Sequence, residues 1–287
     1  MAGWILAVVF FAALSAYVFL PGGRLWRQYR REVLDALAEE PAGPLPFFSP
    51  EAVESLPTLL RGHLSYCGWL GKPQMSNLCI HFRGARLCAA PGQKPLPVLC
   101  QQHSFARGPR RFTYLDTRLF GVPFQRRETC AAGRGCLNVT LAKALPLYRG
   151  GGDEPGRALL ACLSDAAFLP SLLLLDCIEW TPLDEHRLLG RISREGAGAE
   201  GVFIFGELGE LLRFESGGQA FETGEHLPTR RVLELGDYRE TGGVLFPQSV
   251  RVLRRAEEAD FVCFSSTGAV PAWNLHLPPQ QDPAQGG

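Results

Sequence analysis

The side chains best suited to chemistry in this chain are six histidines (His63, His81, His103, His186, His226, His276) and nine cysteines (Cys67, Cys79, Cys88, Cys100, Cys130, Cys136, Cys162, Cys177, Cys263). Their spacing matches no standard centre. CxxC is absent, no Cys/His pair has zinc-finger spacing, and neither HExxH nor GxSxG occurs. Gly133-Arg134-Gly135-Cys136 lacks the third glycine and the Lys-Ser/Thr of phosphate loops, and reads as a turn. Two constellations remain. Asp184-Glu185-His186 sets two carboxylates beside an imidazole, the composition of an acid–base centre, although neighbours in a turn point in different directions and a solvated turn is the simpler expectation. Cys136 and His103 could serve as nucleophile and base of a hydrolase if the fold joined them. No spacing implies a cofactor or a metal, and none is expected. Most of the cysteines lie in apolar segments, where a free thiol behaves as a small buried hydrophobe suited to a reducing compartment.

Composition narrows the partners. Of 287 residues, 46% are hydrophobic, which is ample for a packed core. Lys plus Arg total 29 and Asp plus Glu total 29, so there is no basic surplus of the kind nucleic-acid binding requires.

The elements that would position any site begin at the N-terminus. Trp4 to Leu20 is an uncharged apolar run, long enough at about 1.5 Å per residue to approach a membrane span. No basic residue precedes it as in a signal peptide, so an uncleaved single-pass anchor is expected over residues 1–23. Arg24, Arg27, Arg30 and Arg31 follow on its C-terminal side, which by the positive-inside rule puts the globular part in the cytoplasm. Residues 24–40 read as an amphipathic juxtamembrane helix with Trp26, Tyr29, Val33 and Leu37 on one stripe. Residues 41–50, PAGPLPFFSP, read as a stiff linker, and residues 278–287 as a disordered tail.

Between them, residues 51–277 read as one β-rich domain. Leu78, Ile80 and Phe82 alternate with polar or small neighbours, the period of a half-buried strand. Further strands are expected over residues 95–105, 111–120 and 122–129, whereas 136–147 suits either strand or helix. The clearest element is the hairpin over residues 201–216, where VFIF turns through GELGE into LLRF. Residues 154–175 form the one strongly helical region, too apolar for a surface helix and divided by Pro170.

Several phrases in order resemble one family: GKPQMSNLCIHF, YLDTRLFGVPF, LAKALPLY, FLPSLLL, IEWTPLD and GVFIFGELGELLRF. The chain is similar over about residues 56–273 to the bacterial proteins of the DUF6544 family, particularly clostridial members with a short N-terminal apolar segment. That resemblance implies no activity and no catalytic residues. It also marks departures: Gly217-Gly218-Gln219 where an Arg is usual, Val252-Leu253-Arg254 where an aromatic is usual, and Cys263-Phe264 where Tyr precedes Phe.

The expected fold is therefore α+β and β-rich. A curved antiparallel sheet, half-barrel-like, carries a few packed helices behind one N-terminal transmembrane helix, with residues 154–175 against its concave face. A curved sheet with a helix in its mouth resembles the half-barrels of lipoprotein carriers and other lipid binders. The expected function is a non-catalytic, membrane-anchored scaffold binding a lipid or other apolar ligand. Leu163, Phe168, Trp180, Phe203 and Phe214 are its candidate lining residues. A structural partner in a membrane complex and a hydrolase are the alternatives.

Overall fold

Alternation of apolar and polar residues governs most of the chain, and in a computed structural model it produces an almost entirely antiparallel architecture. The structure describes residues 4–5, 8–9, 22–40, 43–131, 134–151, 155–194, 196–216, 231–255 and 260–277. Helices α1 (Arg24–Ala38), α2 (Pro50–Val53) and α3 (Thr58–Tyr66) come first. Seven strands follow: β1 (Asn77–Arg83), β2 (Arg86–Leu87), β3 (Leu96–Phe105), β4 (Arg110–Leu119), β5 (Val122–Ala131), β6 (Arg134–Leu141) and β7 (Leu145–Gly151). Helix α4 (Pro155–Asp165) and a 3-10 turn (Pro170–Leu174) interrupt the strands at the position of Pro170. The chain then runs through β8 (Ile178–Pro182), β9 (Arg187–Arg194), β10 (Ala197–Phe205) and β11 (Leu211–Ser216). It ends with β12 (Arg231–Thr241), β13 (Val244–Arg255), β14 (Asp260–Ser266) and β15 (Gly268–Trp273).

Among the described residues these strands join in one sheet that starts at β7, passes through β6, β5, β4, β3 and β2, and continues through β14 and β13 down to β8. β1 pairs with β3 and with β15, off that path. The sheet does not close: β7 and β8 are its two ends. Helix α4 packs on β9 and β10 near one end and on β4, β5 and β6 near the other. Strands so far apart in the sheet reach one helix only because the right-handed twist coils the sheet around it. The ambiguous segment 136–147 resolves as β6, a three-residue turn and β7; Ala142 and Lys143 take positive φ in the turn.

One large hydrophobic cluster fills the concave side. It draws on Leu60 and Leu64 of α3, Leu78 and Ile80 of β1, Leu159 and Leu163 of α4, and Phe203, Phe205 and Phe214 of the hairpin. A second cluster lies on the opposite face of β3 and β4, under α1, and comprises Leu25, Tyr29, Val33 and Ala36 with Phe105, Phe112 and Tyr114.

This second cluster corrects the reading of residues 24–50 as a helix and linker outside the domain. The apolar stripe of α1 needs a partner, and the aromatic outer face of β3–β4 supplies it: Tyr29 and Tyr114 stack at 5.6 Å. Phe48, in the expected linker, is wholly buried in the main core. The expected membrane helix lies outside the described residues except for Trp4, Ile5, Val8 and Val9, which are helical and exposed. Among the described residues no helix is long and apolar enough to cross a membrane. The expected tail lies wholly outside them.

Candidate functional site

The space between the sheet and α4 has two chemically different ends. At the β8–β11 end it is aromatic. Strand register aligns Trp180 with Gly190, Gly190 with Gly201, and Phe203 with Phe214. The two glycines form a floor for the rings: a Cβ on Gly190 would lie 2.6 Å from Trp180, and one on Gly201 would lie 2.3 Å from Phe214. Ring centroids are 5.2 Å apart for Trp180–Phe203 and 4.8 Å for Phe203–Phe214, in edge-to-face arrangements that suit aromatic quadrupoles. Leu163 of α4 completes this wall, and Phe168 packs on Phe246 at 6.0 Å. The five residues singled out from the sequence thus share one cluster. They pack on one another there: Leu163, Phe168, Phe203 and Phe214 are all buried, and Trp180 is half-buried with its Nε1–H donating to Leu173 O at 3.2 Å.

At the β3–β5 end the same helix meets charge. Period-two alternation turns Gln102 and Ser104 of β3, Arg111 and Thr113 of β4, and Arg126 and Glu128 of β5 toward α4. Asp165, the last residue of α4, is buried among them. Its Oδ1 accepts from Gln102 Nε2 at 3.0 Å, its Oδ2 accepts from Ser104 Oγ at 2.7 Å, and Arg111 stands 3.4 Å away. Arg126 donates to Glu128 at 2.7 Å. Burial pushes the Asp165 carboxyl up, with Arg111, Ser104 and Gln102 pulling it back. Burial acts the same way on Glu128, but Arg126, Arg111 and Arg231 outweigh it and hold that carboxyl down to about 2. Cys100 and Cys130, beside this network, are pushed up to about 12 by burial, so they are unreactive thiols.

The two catalytic constellations do not assemble. His103 faces outward from β3 and shares a 2.7 Å hydrogen bond with Tyr29 of α1. Cys136 sits three strands along, on β6, contacted by Asn138 and Arg127. Asp184 caps the β8–β9 turn, accepting from the backbone of His186 and Arg187 and from the Arg187 side chain. His186 is exposed and lies 3.5 Å from Glu207. No motif singles out His63, whose Nδ1–H donates to Gly209 O at 3.0 Å with Cys67 Sγ 3.8 Å away. Burial drives His63 down to about 4 and Cys67 up to about 12, so the pair stays neutral and braces the β10–β11 turn against α3. All nine cysteines are free; six are buried and three partly so. Among the described residues no three His, Cys, Asp or Glu side chains are placed to hold a metal.

The model of a family of unknown function, DUF6544, matches residues 46–266. The chain belongs to the DUF6544 family. Its match takes in every strand from β1 to β14 and α4. A search of curated proteins finds no match. Among solved structures the chain is similar to a LolA superfamily protein from Nitrosomonas europaea, with 8% identity, coverage of 77% of this chain and 94% of that one, and a TM-score of 0.31. Of the departures from the DUF6544 pattern, Gly217–Gln219 lie outside the described residues, while Val252–Arg254 and Cys263–Phe264 adjoin each other on β13 and β14.

Proposed function

We propose that this DUF6544 protein is a membrane-tethered, non-catalytic scaffold that binds a lipid or other apolar ligand between its coiled sheet and α4. The observation that carries this reading is the unequal attachment of α4. Its Leu159 and Leu163 bury against the apolar wall, whereas its C-terminal end is held by Asp165 through exchangeable polar contacts. A helix serving only as core filler is held as well or better by apolar residues of similar volume, because a buried ion pair costs desolvation. Release of Asp165 frees the helix to swing and opens an apolar trough lined by Phe168, Trp180, Phe203 and Phe214. Native mass spectrometry of the full chain released from mild detergent, followed by organic extraction, tests this. A retained or reloaded apolar ligand is expected; a clean apo mass with no uptake from added lipid extract overturns it.

Tethering rests on the apolar run at residues 4–20 and on α1. Arg24, Arg27, Arg30 and Arg31 all point away from the sheet into solvent, on the side of α1 that follows directly from that run. The cytoplasmic side follows from the same arginines. Labelling of an added C-terminal cysteine on intact cells by an impermeant reagent would overturn it.

A second reading has its own observation. Among the described residues edge strand β7 has β6 as its one neighbour, and it exposes Leu145, Leu147 and Tyr148, each more than half accessible. An unpaired apolar edge is a template for another chain, which suits a protein partner at the membrane. A stoichiometric partner that co-purifies with the native chain and is lost from Leu147→Lys would favour this reading; an isolated monomer counts against it.

A further inference from the structure

Four arginines face inward where the polar end of the sheet approaches β12–β14. Arg111 and Arg126 come from β4 and β5. Arg231 and Arg254, register partners on β12 and β13, share the parity of Leu233 and Val252, which pack into the core. Among them, in the described residues, lie the carboxylates Asp165 and Glu128. The thiol of Cys263, an extra residue bulged out of the β13–β14 register, lies within the field of Arg254, Arg231 and Arg126 together. Strands from opposite arms of the coil therefore bring their arginines around one point.

Two of these side chains are incompletely satisfied. The Nε atoms of Arg126 and Arg254 are both buried with no hydrogen-bond partner. A buried donor left unpaired is costly, and a guanidinium more so than a neutral group, so such atoms call for an acceptor. What flanks them is apolar. Arg126 stands opposite Leu115, Leu115 opposite Cys100 and Cys100 opposite Phe82, one row across four strands. Phe82 meets Phe264 edge-on at 5.5 Å, and Phe264 is the partner of Val252, two residues from Arg254. An apolar row ending in two aromatic rings thus lines the sheet from the strand of one guanidinium to that of the other.

We propose that Arg126 and Arg254, with Arg231 beside them, form a subsite for the carboxylate or phosphate head of an anionic amphiphile whose chain lies along Phe82 and Phe264. This rests on the reading above that an apolar ligand enters the sheet–helix space, and adds the class of that ligand. A guanidinium offers paired N–H donors matched to two oxygens of either head, and the low-dielectric surroundings strengthen the contact. Glu128 already takes one terminal nitrogen of Arg126, which orients the guanidinium and leaves its Nε–H for the ligand.

The full chain is reconstituted in phosphatidylcholine vesicles and exposed to a fatty acid carrying a diazirine at its chain end, or to its methyl ester, and photolabelled peptides are mapped. The acid should label β1 and β14 about tenfold more than the ester, the ratio that one charge-assisted contact supplies. That preference should collapse in Arg254→Gln, which breaks no described ion pair, and in Arg126→Gln. Excess inorganic phosphate should leave labelling unchanged. Equal labelling by acid and ester, insensitive to Arg254→Gln, overturns the head-group subsite and leaves the apolar reading standing. Abolition by inorganic phosphate overturns the amphiphile in favour of a free-anion site. No labelling of the sheet by either probe overturns the apolar reading with it.

Discussion

Helix α4 is shared by two regions that hold it in opposite ways. Toward β9 and β10 the contact is apolar and closely packed, with aromatic rings laid over paired glycines. Toward β3–β5 it is a buried carboxylate among amide, hydroxyl and guanidinium groups. The first attachment is strong because every methylene displaced leaves a void; the second is specific but exchangeable, because water or another anion can replace each partner.

The comparison breaks most visibly at Phe203. Phe203→Ala removes a buried ring that touches both Trp180 and Phe214, and should cost about 3–5 kcal/mol in urea-unfolding stability. A loss under about 1 kcal/mol would show the aromatic end to be loosely packed and the contrast unfounded. Acid sharpens the comparison next. His63, against Phe205 at the apolar end, and His103, under α1, are both held down to about 4 by burial. The unfolded chain takes up these protons near 6.5 and the folded one does not. Each histidine's contribution is therefore complete above pH 6.5 and lost as pH falls toward 4, by up to about 3 kcal/mol each. Glu128 titrates the other region: its folded value near 2 lies below the ordinary carboxylate range, so its contribution persists above pH 4.5 and disappears between 4.5 and 2. A pH titration of the unfolding midpoint should show these two limbs separately. His63→Gln should remove part of the upper limb and leave the lower one.

At the latch, Asp165→Ala leaves Gln102, Ser104 and Arg111 with unmet donors and should cost about 1–3 kcal/mol. The double replacement Asp165→Leu with Arg111→Met should recover most of that loss, because no buried charge is left alone. Additive losses would mean the polar end is not a separable latch. The smallest effect is expected on the outer face. Arg213 bridges Glu234 at 2.9 Å and Arg251 reaches the same carboxylate at 3.0 Å, all in contact with water, so Arg213→Ala should change stability by less than about 1 kcal/mol.

Sequence periodicity disclosed most of the elements and little of their arrangement. The β10–β11 hairpin, β1, β3, β4 and β5 follow from alternation and turn residues; α4 ends at Asp165, before Pro170, which opens the 3-10 turn. The aromatic cluster was legible because Phe203, Phe214 and Leu163 sit at inward parities of strongly patterned segments. The charged end was not. Arg126 and Glu128 have the same parity as Cys130, but a strand with charges on both faces gives no sign of which face is covered. That depends on coiling of the whole sheet around α4, and coiling accumulates over strands too distant in sequence to pattern one another. The stripe of α1 was visible as Tyr29 and Val33. Its partner was not, because Phe105 and Phe112 also alternate as an ordinary strand would.

The pairing of β1 with β15 joins Leu78 to Trp273 and Arg83 to Gly268. During synthesis, nearly two hundred residues must emerge after β1 before its outer edge is covered. Until then Cys79 and His81 stand at an open edge, and the body of the molecule can be largely collapsed yet unsealed. Folding rates fall as such distant contacts are required, so this closure is the expected slow step. A stop codon just before Gly268 would therefore remove β15 and leave a nascent protein marked for chaperone retention, since the seam along β1 could never be drawn shut.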